Sequence, residues 1–193
     1  MESGWSRLNK AKIQLLDEGK SFADYTMINP KESPPRAALD RLLEAINLEG
    51  AHKYSSSRGL KTLREAFSLK YKTKFSVDLD ANTDVCVCFG SKDGLAQTLR
   101  CLSKKGDKIL IPKPYYPTHF FTASQMCLDI STFDLGENEE ETLNNLLEKC
   151  AKVQPHIVLL NFPNNPTGQL MGAGFYSKSV SYTHLTLPTI CSV

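Results

Sequence analysis

Val85-Cys86-Val87-Cys88-Phe89-Gly90-Ser91-Lys92-Asp93-Gly94 changes its period half-way along. The first five residues are β-branched or apolar and end at a glycine, the form of a short buried strand. Cys86 and Cys88 alternate along that strand and face one way, where they read as small buried hydrophobes. Beyond the glycine the spacing turns helical, and residues 93–104 read as a helix. Downstream come a strand at 108–111, an aromatic-rich segment at 114–127, a strand at 128–133, a helix at 139–152 and a strand at 156–160. Strands separated by helical stretches need crossovers, which give a mostly parallel sheet flanked by helices. The expected fold class is α/β.

Upstream, the chain reads as helical. Leu8, Leu15 and Leu16 mark a helix over 6–18 that Gly19 stops. Ser33 stands as an N-cap with Pro34 at the first helical position, and Leu39, Leu42, Leu43 and Ile46 mark one face until Gly50. A polar turn at 54–59 leads into a third helix carried by Leu60, Leu63, Phe67 and Tyr71. The acidic run 137–141 reads as a helix start, because Asn138 and Glu141 have capping-box spacing and acids favour that end of the helix dipole. Lys104-Lys105 before Gly106 reads as the matching basic helix end.

Across 193 residues, 23 Lys+Arg against 21 Asp+Glu leave a net charge of +2 with no basic block, so neither nucleic acid nor an anionic membrane surface is an expected partner. The apolar runs are strand length, far short of a bilayer span. No apolar secretory core follows the N-terminus, which makes a soluble protein of the cytoplasm the expectation. The six cysteines, at 86, 88, 101, 127, 150 and 191, form no C-x-x-C pair, and no metal site is expected.

Three loops follow strand ends, where α/β sheets place ligands. In the first, residues 89–94, small residues and a helix N-terminus suit a phosphate, although Gly-Ser after a strand is also an ordinary turn. The pattern is neither a P-loop nor a dinucleotide fingerprint. In the second, residues 112–119, two prolines bracket Tyr115 and Tyr116. Their rings suit a planar ligand or core packing. In the third, residues 161–168, Asn164 and Asn165 between prolines offer fixed amides within a run of turn formers.

The order of these pieces resembles the class I/II aminotransferases of the pyridoxal 5′-phosphate fold-type I superfamily, in particular their alanine (glutamate–pyruvate) and LL-diaminopimelate branch. The residues carrying the resemblance are His52-Lys53-Tyr54-Ser55 through Gly59, Leu63-Arg64, Gly90-Ser91-Lys92-Asp93-Gly94, Gly106-Asp107, Pro114-Tyr115-Tyr116-Pro117 and Asn164-Asn165-Pro166-Thr167-Gly168. The resemblance implies a cofactor, pyridoxal 5′-phosphate, whose phosphate is held by Gly90, Ser91 and Lys92. It implies that Tyr116 stacks on the pyridine ring and that Asn165 donates to the phenolic oxygen. It further implies that Tyr54 reaches the phosphate of a neighbouring subunit, in a homodimer whose substrates are an amino acid and a 2-oxo acid. Residues 1–50 correspond to an N-terminal arm and small-domain segment, and 51–179 to the first part of the large cofactor-binding domain.

The family's Schiff-base lysine, usually in a Ser-x-x-Lys setting, and its pyridinium carboxylate lie beyond the Asn-Pro-Thr-Gly turn. Here no Ser-x-x-Lys occurs, and Lys178 is the sole lysine after Gly168. No catalytic residue is therefore assigned, and the chain reads as an N-terminal portion, inactive alone. Residues 180–193 look like translated adapter sequence, and periodicity stops near Ser177; His184 and Cys191 are set aside with them. Residues 27–30 stand where the family has a glycine-containing strand and are given no role. The expected activity of the whole is transfer of an alanine-like amino group to 2-oxoglutarate. The alternatives are another fold-type I enzyme, such as a carbon–sulfur lyase or an aminocyclopropane-carboxylate synthase, and a non-catalytic phosphate-ligand binding protein.

Overall fold

The structure, a computed structural model, describes residues 4–25 and 32–183. The chain forms two compact units, Met1–Tyr54 and Ser55–Val193. The first carries helices α1 (Gly4–Asp17) and α2 (Arg36–Ile46). Helix α2 starts two residues after the expected Pro34, with Pro35 as N-cap, because a residue preceding proline is pushed out of the helical region. It ends at Ile46, where Asn47 Nδ2 donates to Leu43 O (2.7 Å) well before Gly50. Residues 27–30 and the tail residues His184 and Cys191 lie outside the described residues.

The second unit runs α3 (Lys61–Phe75), α4 (Gly90–Leu102), β1 (Lys108–Lys113), α5 (Pro117–Gln125), β2 (Asp129–Asp134), α6 (Glu139–Val153), β3 (Ile157–Val158) and α7 (Ala173–Thr183). The sheet has the order β2-β1-β3 and is parallel throughout, with Lys108 opposite Asp129, Lys113 opposite Asp134 and Ile109 opposite Ile157. β1 is central, and alternation sends its side chains both ways. Leu110 packs with Phe133, Leu143, Leu146, Cys150 and Phe175 on the α6/α7 face. Ile109 and Ile111 pack with Leu99, Ala123 and Leu128 on the α4/α5 face. Both faces are thus covered by helices, as a parallel sheet requires.

Three expectations fail here for physical reasons. Residues 85–89 are extended but form no strand: both edges of β1 are taken, and no described strand pairs with them. Cys86 and Cys88 are accordingly exposed, and Phe89 is 99% exposed. Helix α4 ends at Leu102, so Lys104 and Lys105 belong to the following turn, where Lys104 N–H donates to Asp107 Oδ2 (2.9 Å). Helix α7 continues past Ser177 because a serine extends its buried face: Phe175 and Ser179, four residues apart, are both buried. A reading of apolar periodicity cannot see that face.

Candidate active site

Gly90, Ser91 and Lys92 form the first turn of α4, which begins three residues before the spacing predicts. Phe89 is the N-cap and supplies no side-chain cap; its own N–H donates to Asp93 Oδ2 (2.9 Å). That bond, with those from Gln97 and the nearby Arg100 guanidinium, holds the Asp93 carboxyl below its ordinary range. The first helical amides have no partner within their helix. Gly90 has φ +81°, a conformation that side chains disfavour, and no atom lies within 4 Å of where its Cβ would be. Ser91 and Lys92 are exposed on the same turn. The result is an open, uncapped helix N-terminus with a hydroxyl and an ammonium beside it, which suits an anion.

Tyr116 caps α5, with Pro117 at the first helical position where its missing N–H costs nothing. The Thr118 hydroxyl at the phenol, together with the neighbouring Lys92 ammonium, holds the Tyr116 pKa below its ordinary value. Lys92 therefore joins the α4 turn to the second loop. His119 sets its ring edge-on to Tyr116, with centroids 5.7 Å apart at 85°. Its Nδ1 is buried without a hydrogen-bond partner among the described residues, and burial lowers its pKa by disfavouring the charged ring.

The third loop is bound to the second through Asn164, 3% exposed, whose Nδ2 donates to Pro114 O (3.3 Å) and Thr167 Oγ1 (2.9 Å). Asn164 N–H also donates to Gln169 O (2.9 Å). Asn165 is exposed and makes no hydrogen bond with the described residues. The clamp at Asn164 thereby holds the Asn164-Asn165 turn beside the C-terminal end of the central strand β1. Gly90, Ser91, Lys92, Tyr116 and Asn165 all belong to the second unit. Tyr54 closes the first unit with its side chain fully exposed. Thr118 and His119 lie in the second of the predicted loops, where neither is assigned a role from sequence. The signal for Thr118 was a hydroxyl two residues beyond Tyr116, which becomes meaningful once Pro117 starts a helix there.

This donor set fits pyridoxal 5′-phosphate. The uncapped α4 terminus matches a phosphate dianion, the Tyr116 ring matches a flat heterocycle, and an unengaged Asn165 amide matches a phenolic oxygen. Among the described residues no helix is long and apolar enough to cross a membrane.

Several known proteins are similar to this chain. The glutamate-pyruvate aminotransferase AlaC of Escherichia coli is 31% identical over 173 residues, covering 88% of this chain and 42% of that one. An LL-diaminopimelate aminotransferase of Aquifex aeolicus is 31% identical over 180 residues, covering 92% and 46%. The substrate-bound structure of BacF from Bacillus subtilis superposes with a TM-score of 0.77 at 26% identity, over 95% of this chain and 47% of that one. The chain thus spans less than half the length of the relatives it matches. A match to the model for aminotransferase class I and II covers residues 23–178, and the chain belongs to that family, whose members depend on pyridoxal 5′-phosphate.

Proposed function

We propose that these residues form the phosphate- and ring-binding part of an aminotransferase that moves the amino group of a small, alanine-like amino acid to 2-oxoglutarate, as a cytoplasmic homodimer. The observation that carries the reading is the hydrogen bond from Asn164 Nδ2 to Pro114 O (3.3 Å), which ties the third loop to the second, where the Lys92 ammonium of the α4 turn lies near the Tyr116 phenol. The similarity to AlaC, whose name states glutamate and pyruvate, supports the substrate.

In this reading Gly90, Ser91 and Lys92 bind the phosphate through backbone amides, hydroxyl and ammonium. Gly90 leaves room for the anion, since nothing lies within 4 Å of where its Cβ would stand. Tyr116 would stack on the ring, its own ring braced by the near-perpendicular imidazole of His119. Asn165 donates to the phenolic oxygen and favours its ionised form. Pyridoxal 5′-phosphate, when bound, supplies the electron sink that transamination requires. Tyr54 reaches the phosphate of the partner copy. Transamination also needs a lysine to carry the proton, and no Ser-x-x-Lys occurs in these 193 residues, so the chain alone is expected to be inactive.

Two measurements test this. Borohydride reduction of the chain with the cofactor should leave no single lysine stoichiometrically labelled by mass spectrometry; one fully labelled site overturns the expected inactivity. Genomic sequence past codon 180 should continue into a Ser-x-x-Lys segment, and the whole product should form glutamate from alanine and 2-oxoglutarate faster than from LL-diaminopimelate. The reverse preference overturns the substrate.

A further inference from the structure

Arg64 is more than nine-tenths buried, yet among the described residues no carboxylate pairs with it. Its Nε donates to Gly59 O (3.4 Å) and its Nη1 to Ala81 O. These two carbonyls lie on different segments: Gly59 precedes α3, and Ala81 sits in the turn that leads into residues 85–89. A guanidinium is a planar fork of donors and can hold two carbonyls at once, which an ammonium on a flexible stem does less well.

Gly59 is the second part of the arrangement. Its φ is +82°, and a Cβ there would overlap the Val87 side chain. Next to it, Arg58 O accepts from Val87 N–H (3.2 Å). Val87 is therefore set close against Gly59 and bonded to Arg58 beside it. Val87 stands three residues before Gly90 on a segment without strand pairing, so this attachment ties down the chain just upstream of the first turn of α4, whose far end is anchored in the core by Leu99. The Ser68 hydroxyl adds a further tie from α3, donating to Leu79 O (2.6 Å).

We propose that Arg64 is a positioning residue for the phosphate turn, acting through Gly59 and Val87 to fix residues 90–92. The inference rests on the reading of that turn as the phosphate cradle. It gives the Gly59, Leu63-Arg64 motif a function that neither packing of α3 nor direct ligand contact supplies.

The test uses the 193-residue chain. The ratio of its affinity for pyridoxal 5′-phosphate to that for pyridoxal isolates phosphate recognition, and amide exchange read by mass spectrometry follows residues 85–92 with no cofactor present. Arg64→Lys keeps the charge and removes the fork. Val87→Ala leaves Arg64 untouched and removes the side chain that meets Gly59. Each is expected to lower the affinity ratio about tenfold with pyridoxal affinity unchanged, and to speed exchange at 85–92 relative to β1. A ratio and an exchange rate held at their wild-type values overturn the proposal. So does acceleration shared equally by β1, which reports lost stability alone. A wild-type ratio near unity that Ser91→Ala leaves unmoved overturns the phosphate reading instead, and the exchange at 85–92 then decides whether Arg64 holds the turn.

Discussion

Asn164 commits its amide to Pro114 O and Thr167 Oγ1 in a buried position, whereas Asn165 beside it is exposed and unbonded. Asn164→Ala strands both partners and should cost about 1–3 kcal/mol in thermal or urea unfolding. Asn165→Ala should change stability by less than about 0.5 kcal/mol while weakening cofactor binding. Equal losses of stability in the two variants would remove the division of roles. Both residues were legible in the sequence as an amide pair. Their division was not, because it depends on which amide reaches a carbonyl fifty residues earlier. His119 carries a pH signature on the same scale. Burial lowers its folded pKa below the ordinary 6.5, so the unfolded chain binds the extra proton first. Its contribution to stability is complete above that ordinary value and declines as pH falls towards the folded pKa. His119→Phe, which keeps a ring against Tyr116, should flatten the fall in stability just below pH 6.5, as read from urea midpoints at a series of pH values.

At the scale of elements, local chemistry was readable and pairing was not. In α6 the Asn138 side chain accepts from Glu141 N–H (2.9 Å), as the spacing of the two residues predicts. Glu141 Oε2 in turn accepts from Glu137 N–H (2.9 Å), one residue outside the usual reciprocal bond. Asn138→Ala should destabilise the chain by about 1 kcal/mol, measurable as a lower urea midpoint, and an unchanged midpoint would show the cap to be idle. Residues 85–89 show the opposite case. Their composition favours a strand, but a strand needs a neighbour, and the neighbour is a long-range fact. β3 was foreseen over five residues and registers as two, although His156 N–H and Leu159 N–H still donate across to β1 at 2.9 and 3.0 Å. The turn at 89–94 was legible as a junction leading into a helix because its glycine and the helix start are adjacent in sequence, although α4 begins at Gly90 and not at Asp93.

At the scale of the whole molecule, helices cover β1 on both faces while large apolar side chains stay exposed elsewhere, among them Leu60 (65%), Leu69 (62%) and Phe121 (63%). Such surface favours association, and it accompanies a chain less than half as long as AlaC. The α/β class and the order of the loops followed from alternating periods. The family resemblance implies a division after residue 50, and the chain divides into its two compact units after Tyr54.

Cys150, on the buried face of α6, gives the protein an internal clock. Its thiol is enclosed with Leu110 and Phe175, and burial raises its pKa, whereas Cys86, Cys88, Cys101 and Cys127 lie open to solvent. Excess alkylating reagent should consume the open thiols at chemical speed and reach Cys150 only when the sheet and α6 part company. Peptide-resolved mass spectrometry of the labelled chain should therefore time the opening of the core in the native protein, without denaturant. Because Asn138 caps the same helix, Asn138→Ala should quicken labelling at Cys150 and leave the other four rates alone.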